Sequence, residues 1–370
     1  MLDTPDYPHD SAHDVVVPAD GLRTLLAEMF IRKGMFAVDA ETAADRLVEA
    51  DLRGIHSHGS RAVWRYLEAI DAGDIDPRAA VTTERETAAM AVINGGTGLG
   101  HVAATKGMQL AIRKAREVGT GTVAVRRSQH LGAAGVYALM AANEGLIGYC
   151  TTNTGPATVA AYGSRAPATA NNAFAWGVPT RGGRAPDGSA GPHASNGPPF
   201  VLDMAVAVSS WGKVESFKMY GRELPAGWAL DEHGNPTTDA QAAKTLLPAS
   251  GARGYGLSFV SSILAGPLVG ARMPIHKTWS VAADGSEHFF YAIDVKQFVD
   301  PKKFYQEVDA TIADIRALQP ADGFDKVRIP GELEHERAAR WQRDGIPIHP
   351  DHAKKLEELA AAMKLNVPWL

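Results

Sequence analysis

From Met90 onward the chain alternates short apolar runs with amphipathic stretches, and this rhythm confines it to an α/β fold. AAMAVI reads as a strand, NGGTGLG as a glycine loop, HVAATKGMQLAIRKAREVG as a helix and TGTVAVRRS as a second strand. A helix over GAAGVYALMAANEG and an apolar strand over LIGYCTTN follow. PFVLDMA, VAVSSWGKVESF and GYGLSFVSSILAGPLVG carry the alternation on, past a loop rich in Gly, Pro and Ser from Thr180 to Pro199. A strand over HFFYAIDVKQF, a helix over KKFYQEVDATIADIRAL and a charged helical tail over HPDHAKKLEELAAAMKL complete the chain.

The first part has another texture. After a polar tail, Leu22, Leu25, Leu26 and Met29 recur at helical spacing. AETAADRLVEADLRG predicts a second helix stopped by Gly54, and SRAVWRYLEAIDAG a third that ends at Gly73. Residues 15–75 are therefore expected to form a small helical subdomain.

Charge and cysteine content narrow the function classes. The formal net charge is −5 and no Lys/Arg run exceeds two residues, so the basic footprint of a nucleic-acid binder is missing. Cys150 is the only cysteine, which excludes an internal disulfide framework or a Cys-rich zinc site and fits a reducing cytoplasm. The acidic N-terminus does not read as a signal peptide, and no apolar run is long enough to span a membrane. The expectation is a cytoplasmic protein with a small-molecule substrate and neither nucleic acid nor membrane as partner.

The glycine loop at Gly95, Gly96, Gly98 and Gly100 resembles the phosphate-binding turn of a dinucleotide fold. Its spacing is G-x-G-x-G, without the third glycine of the fingerprint, and the next strand ends in Arg126 and Arg127 rather than an acid. A tight turn before a packed helix is the plainer reading.

The chemistry-bearing stretch is GIHSHGSRAVWRY, Gly54 to Tyr66. A Ser-His hydrolase lacks its Gly-x-Ser-x-Gly elbow, and no second histidine pair completes a metal site, so no metal is expected. A serine beside a histidine suits a proton-transfer pair, Ser57 orienting His58. If Ser57 opens a helix, His58, Arg61, Ala62 and Arg65 share one face, and a guanidinium there can clamp a carboxylate. A helix start with merely solvated arginines weighs equally on the motif alone. A second histidine in particular company is His130, in RSQHLGAAG.

Taken together, DLRGIHSHGSRAVWRY, GHVAATKGMQLAIRKAREVG, HLGAAGVYALMAANEGLIG, TTNTGPATVAAYGSRAPATANN, PFVLDMAVAVSSWGKV, LPAGWALDEHGNPTTD, LLPASGARGYGL and RIPGE resemble, in order, the malate/L-lactate dehydrogenase family of non-Rossmann oxidoreductases. That family includes ureidoglycolate and sulfolactate dehydrogenases, diketogulonate reductase and piperideine-2-carboxylate reductase. The resemblance implies a non-Rossmann α/β fold with the N-terminal helical subdomain, an NAD(P)-binding domain over residues 120–270, and a substrate and dimerisation domain over 76–119 plus 271–370. It implies a homodimer that uses NAD or NADP to interconvert a 2-hydroxy acid and its 2-oxo acid, or a related imine.

Carried over position by position, the resemblance makes Ser57 and His58 the proton-transfer pair and His130 a further acid/base or cofactor contact. It places Gly132, Ala133, Ala134, Asp203, Met204, Ala205, Arg253, Gly254, Pro330, Gly331 and Glu332 at the cofactor, and Asn153 and Thr154 on the substrate side. The chain departs from the pattern at Ala62, where the family carries the arginine that holds the substrate carboxylate; Arg61, one residue earlier, is the candidate substitute. Lys213 stands where some imine reductases have a relay aspartate, which favours alcohol and ketone chemistry. Asn171-Asn172-Ala173 replaces the usual Thr-Asn-Pro. Rival expectations are a dehydrogenase of a less acidic or bulkier alcohol, a cyclic-imine carboxylate reductase, a nucleotide-binding relative without turnover and, last, a metallohydrolase.

Overall fold

The computed structural model describes residues 12–180, 198–278 and 284–369. Most of the expected polar tail and of the Thr180–Pro199 loop therefore lies outside the described residues.

The N-terminal part runs as β1 (Val15–Val17), α1 (Ala19–Arg32), α2 (Ala37–Leu52) and α3 (Val63–Asp71). Leu22, Leu25, Leu26 and Met29 are at most 1% exposed, so the period read from the sequence is the buried face of α1. They join Leu47 and Val48 of α2 and Val63 and Leu67 of α3 in one apolar cluster.

Next come β2 (Thr82–Glu86), β3 (Met90–Asn94), α4 (Gly100–Val118), β4 (Thr120–Ser128), α5 (Gly135–Asn143) and β5 (Leu146–Asn153). β3 and β4 pair in parallel with α4 as crossover, so the glycine loop does lie in a βαβ unit. Its glycines allow close approach: a methyl group on Gly100 would overlap the carbonyl oxygens of Gln129 and His130. The plainer reading of that loop agrees with this packing.

The middle of the chain adds β6 (Val159–Ala160), β7 (Pro167–Thr169), β8 (Phe174–Val178), β9 (Phe200–Met204), α6 (Trp211–Met219), β10 (Ala229–Leu230), β11 (Pro236–Thr237), β12 (Thr245–Leu246), α7 (Ala252–Ala265) and β13 (Ser286–Asp294). The main sheet has seven strands in the order β2-β3-β4-β13-β5-β8-β9. Only β3–β4 is parallel among its pairs. α4 and α5 cover one face, where Met108, Ile112 and Tyr137 pack on Val123, Val125 and Phe290. The sheet takes strands from 82–94 and 286–294 as well as from 120–204, so segments that the resemblance assigns to different units share one sheet. A smaller sheet, β11-β10-β12-β6-β7, packs with α6 through Val214 and Phe217.

The chain ends with α8 (Pro301–Arg316), α9 (Glu332–Asp344), β14 (Ile346–Ile348) and α10 (Pro350–Ala362). β14 pairs antiparallel with β1, and Ala353, Leu356 and Ala360 of α10 enter the N-terminal cluster. The tail thus closes over the helices at the start of the chain. Among the described residues no helix is long and apolar enough to cross a membrane.

The linker between α2 and α3 corrects one expectation. Ser57 does not open a continuous helix; two single 3-10 turns, His56–His58 and Ser60–Ala62, are separated by Gly59 at φ −97° and ψ −148°. The cause is the Asp51 carboxylate, which is 0% exposed. It accepts hydrogen bonds from His56 Nδ1 at 2.9 Å and from the Ser60 amide at 2.7 Å. A Cβ on Gly59 would overlap that carboxylate, so the glycine is required by space. Ser60 Oγ lies 3.2 Å from His352 Nε2, which ties α10 to the same turn.

Removing a buried acceptor strands its donors, at a cost of about 1–3 kcal/mol each. Asp51→Ala is expected to lower unfolding stability by roughly 3 kcal/mol, measured by urea titration, with Asp51→Asn losing less. A loss within about 0.5 kcal/mol for the alanine variant would contradict this role.

Candidate active site

The sheet gathers the expected site residues at one end. Ser128 at the end of β4 pairs with Ser286 at the start of β13, and Glu287 pairs with Asn153 at the end of β5. Thr151 pairs with Phe174, which opens β8, and Phe174 pairs with Met204, which closes β9. His130, Asn153, Thr154, Asn171 and Asp203 to Ala205 therefore all emerge from, or close, this one end of the sheet.

His58 and His130 meet there, with ring centroids 5.5 Å apart and planes tilted by 32°. Each ring has its Nδ1 held by a hydroxyl: Ser57 Oγ lies 2.8 Å from His58 Nδ1, and the Tyr66 hydroxyl 2.7 Å from His130 Nδ1. The Gly132 amide also donates to His130 Nδ1, at 3.4 Å. That makes this nitrogen an acceptor, so neutral His130 is assigned the tautomer with its proton on Nε2.

Tyr66 is a candidate site residue that the sequence did not single out, although it stands eight positions after His58 in the same stretch. Its ring meets His101 edge-on at 5.2 Å. His101 is 1% exposed, and neither of its ring nitrogens has a partner among the described residues.

Burial keeps these imidazoles neutral. The pKa of His58 is lowered to about 3, first by burial and then by the charges of His130, Arg61 and Arg65. That of His130 is lowered to about 4, by burial and then by Arg65. Both rings are therefore neutral imidazoles at neutral pH.

Helix α6 braces the motif from outside. A Cβ on Gly212 would overlap that of Ser57, so the helix start lies directly against the serine. Arg61 points to the same helix, donating to Ser216 Oγ at 2.5 Å and to the Gly212 carbonyl. The candidate clamp is thus engaged by the protein itself. Arg65 is exposed, with its guanidinium 5.1 Å from the Trp64 ring centroid.

On the substrate side, Asn153 is fully buried and donates to Glu287 Oε2 at 2.9 Å and to the Arg272 carbonyl at 3.0 Å. Lys277 Nζ binds the same Glu287 oxygen at 2.6 Å and the Asn153 carbonyl at 2.9 Å. Thr154 donates through its amide and hydroxyl to Asn172 Oδ1. These two residues shape the strand end through a buried network, with Asn153 directed into it.

The expected cofactor residues converge in pairs. The Gly135 amide bonds the Asp203 carboxylate, so the start of α5 faces the end of β9. The Pro330 carbonyl accepts from the Val201 amide at 3.1 Å, and a Cβ on Gly331 would lie 2.8 Å from the Val201 carbonyl oxygen, which docks the late loop on β9. Glu332 is committed to its own loop, accepting the Ile329 amide at 2.9 Å and pairing with Arg316 at 3.3 Å. Gly254 packs against the Val206 carbonyl, which sets the start of α7 against the segment that follows Met204 and Ala205. Gly132, Ala133 and Ala134 are buried and Arg253 is exposed; Asp203 reaches the surface, but its carboxyl lies against Gly135 and burial raises its pKa to about 6. A carboxylate for ribose hydroxyls and an accessible guanidinium for phosphate suit a dinucleotide. Among the described residues no cluster of His, Cys, Asp and Glu is arranged to hold a metal ion.

Comparison with known proteins is consistent over almost the whole chain. The family model described as malate/L-lactate dehydrogenase matches residues 17–357. The malate dehydrogenase of Pyrococcus horikoshii is 35% identical over 361 residues, covering 93% of this chain and 94% of that protein. The ureidoglycolate dehydrogenase (NAD(+)) of Escherichia coli O157:H7 is 31% identical, covering 90% and 93%. The crystal structure of malate dehydrogenase from Entamoeba histolytica superposes with a TM-score of 0.88 at 29% identity, covering 96% and 99%. With its seven-stranded sheet, its paired histidines and this breadth of similarity, the chain belongs to the malate/L-lactate dehydrogenase family.

Proposed function

We propose that the protein is an NAD(P)-dependent oxidoreductase that interconverts a 2-hydroxy acid and its 2-oxo acid. The observation that carries this reading is the His58–His130 pair, in which Ser57 and Tyr66 engage the two Nδ1 atoms and leave both Nε2 atoms for the substrate oxygen. The dehydrogenase names of the relatives support it, and the relative named for NAD(+) supports a nicotinamide cofactor. When bound, that cofactor supplies or accepts the hydride.

The chain's own residues handle the proton. In oxidation neutral His58 takes the hydroxyl proton, and Ser57 keeps its ring in place. The Nε2–H of His130 donates to the same oxygen and stabilises the charge it gains. In reduction His58, protonated for the step, returns the proton. Asp203 would accept ribose hydroxyls and Arg253 would face a phosphate, beneath the loop at Pro330 and Gly331.

A second copy of the chain fits the open face of the main sheet. Phe290 and Ala292 point to α4 and α5, so Phe289 and Tyr291 point to the other face, beside Tyr149 and Trp176. Next to them α7 exposes Leu257, Phe259, Val260 and Ile263. A continuous apolar surface of this kind supports a homodimer.

One observation favours a different substrate. With Ala62 in place of the family's clamp and Arg61 engaged by α6, an alcohol without a carboxylate is the second reading.

Four outcomes are expected. His58→Ala should lower turnover by at least about a hundredfold with cofactor affinity retained, by steady-state kinetics and NADH fluorescence. Because the His58 pKa lies at about 3 in the free protein, kcat/KM for oxidation should stay level as pH falls from 8 to 6. An inflection near 6.5 that persists in Asp203→Asn, whose native carboxyl is itself raised to about 6, would show an unshifted base instead. On a panel of 2-oxo acids and their amides, read with NADH and NADPH, the acids should react at least about tenfold faster; equal rates would favour the second reading. Sedimentation equilibrium should give about twice the 39.3 kDa chain mass, and Val260→Glu should give monomers.

A further inference from the structure

A cavity of about 300 Å³ lies beside the motif turn, and His58, Tyr66 and His130 do not line it. Its walls come from four separate stretches: His56 and Arg61 of the turn, the end of α6, one face of α9, and the segment from Pro347 into the start of α10. On α9, Leu333, Arg337 and Arg340 follow one another at i, i+4 and i+7, the spacing that puts side chains on one helix face.

Its charge is one-sided. Three guanidiniums, those of Arg61, Arg337 and Arg340, line it against a single carboxylate, Glu336. That carboxylate is already bound by Lys326 at 2.5 Å and approached by Arg328 at 3.7 Å. The chain as a whole carries −5, so this cationic concavity is local and runs against the general balance. A cleft lined by one sign of charge with low-dielectric walls concentrates the opposite ion. The cavity also has an apolar side: Trp341 stacks on His56 with centroids 5.6 Å apart, and Leu333, Met219 and Ile348 complete it.

We propose that this cavity binds a small organic oxyanion, a molecule carrying phosphate or carboxylate groups, with Arg337 and Arg340 on its charge and Trp341 against its body. Guanidinium groups match the paired oxygens of either anion; Trp341, stacked on His56 and with the Arg340 guanidinium 5.8 Å from its ring centroid, joins Leu333, Met219 and Ile348 as the wall for an apolar remainder. None of Asp203, Arg253, Pro330, Gly331 and Glu332 lines the cavity, so the proposal does not rest on the oxidoreductase reading. The site is not isolated from the turn, because His56, which forms part of its wall, bonds Asp51, the residue that also holds the Ser60 amide.

Titration calorimetry on the full chain, with inorganic phosphate and with citrate as probes, tests this. Saturable binding of one probe per chain is expected, unchanged by saturating NADH, and the better probe tells phosphate from carboxylate chemistry. Arg340 is exposed, so Arg340→Ala should fold with an unchanged melting temperature and bind about tenfold more weakly. Arg340→Lys should recover part of the affinity, which a merely structural effect would not reproduce. The proposal is overturned by the absence of saturable binding up to about 10 mM of either probe, by equal affinity in Arg340→Ala and Arg337→Ala, or by exclusion of the probe by NADH. The last result would make the cavity part of the cofactor site. Failure of every oxo acid to react, with anion binding intact, would remove the oxidoreductase reading and leave this one standing.

Discussion

The carboxylate of Asp51 holds both ends of the turn that carries His58, the proposed proton-transfer residue. One oxygen takes the ring of His56 and the other the amide of Ser60, so Ser57 and His58 are strung between two fixed points. An unpaired carboxylate at this depth would be costly, and two charge-assisted hydrogen bonds meet part of that cost. The contact also explains the glycine after His58: any side chain there would occupy the space of the carboxylate. Through Ser60 and His352 the C-terminal helix is fastened to the same point, so the start, the motif and the end of the chain share one anchor.

Around that anchor the site is assembled by the sheet. Strands far apart in the chain end side by side, and the loops they release carry His130, Asn153 and Asp203 to one region. Placing two histidines there, each with one nitrogen engaged by a hydroxyl, yields a pair of neutral imidazoles with fixed orientation. Neutrality follows from burial and from nearby positive charge; orientation follows from Ser57 and Tyr66. The turning of Arg61 onto α6 separates this site from the pattern its motif suggested.

Much of this could be read from the residues. The spacing of Leu22, Leu25, Leu26 and Met29 named the buried face of α1, and the alternation from Met90 to Asn153 named five elements of the main sheet unit. What escaped has identifiable physical reasons. Helix α9 buries none of its residues, so it lacks the apolar period that marks a helix. The break at Gly59 arises from Asp51, eight residues earlier, and local propensity does not report such a contact. Tyr66 and His101 gained their place from tertiary approach alone, while the long quoted motifs carried the family membership and the position of His58.

The position of β13 has a consequence for how the molecule comes into being. It lies between β4 and β5, yet it is made more than a hundred residues after them. Until Ser286–Asp294 leaves the ribosome, those two strands have no neighbour to bridge them, and their inner edges stay unpaired. Pairings over such sequence separations form slowly, because the intervening loop must be closed before any contact rewards it. The nascent chain therefore spends its vulnerable interval with the loops after β4 and β5 held apart, and the late strand that joins the halves also completes the end of the sheet where they gather.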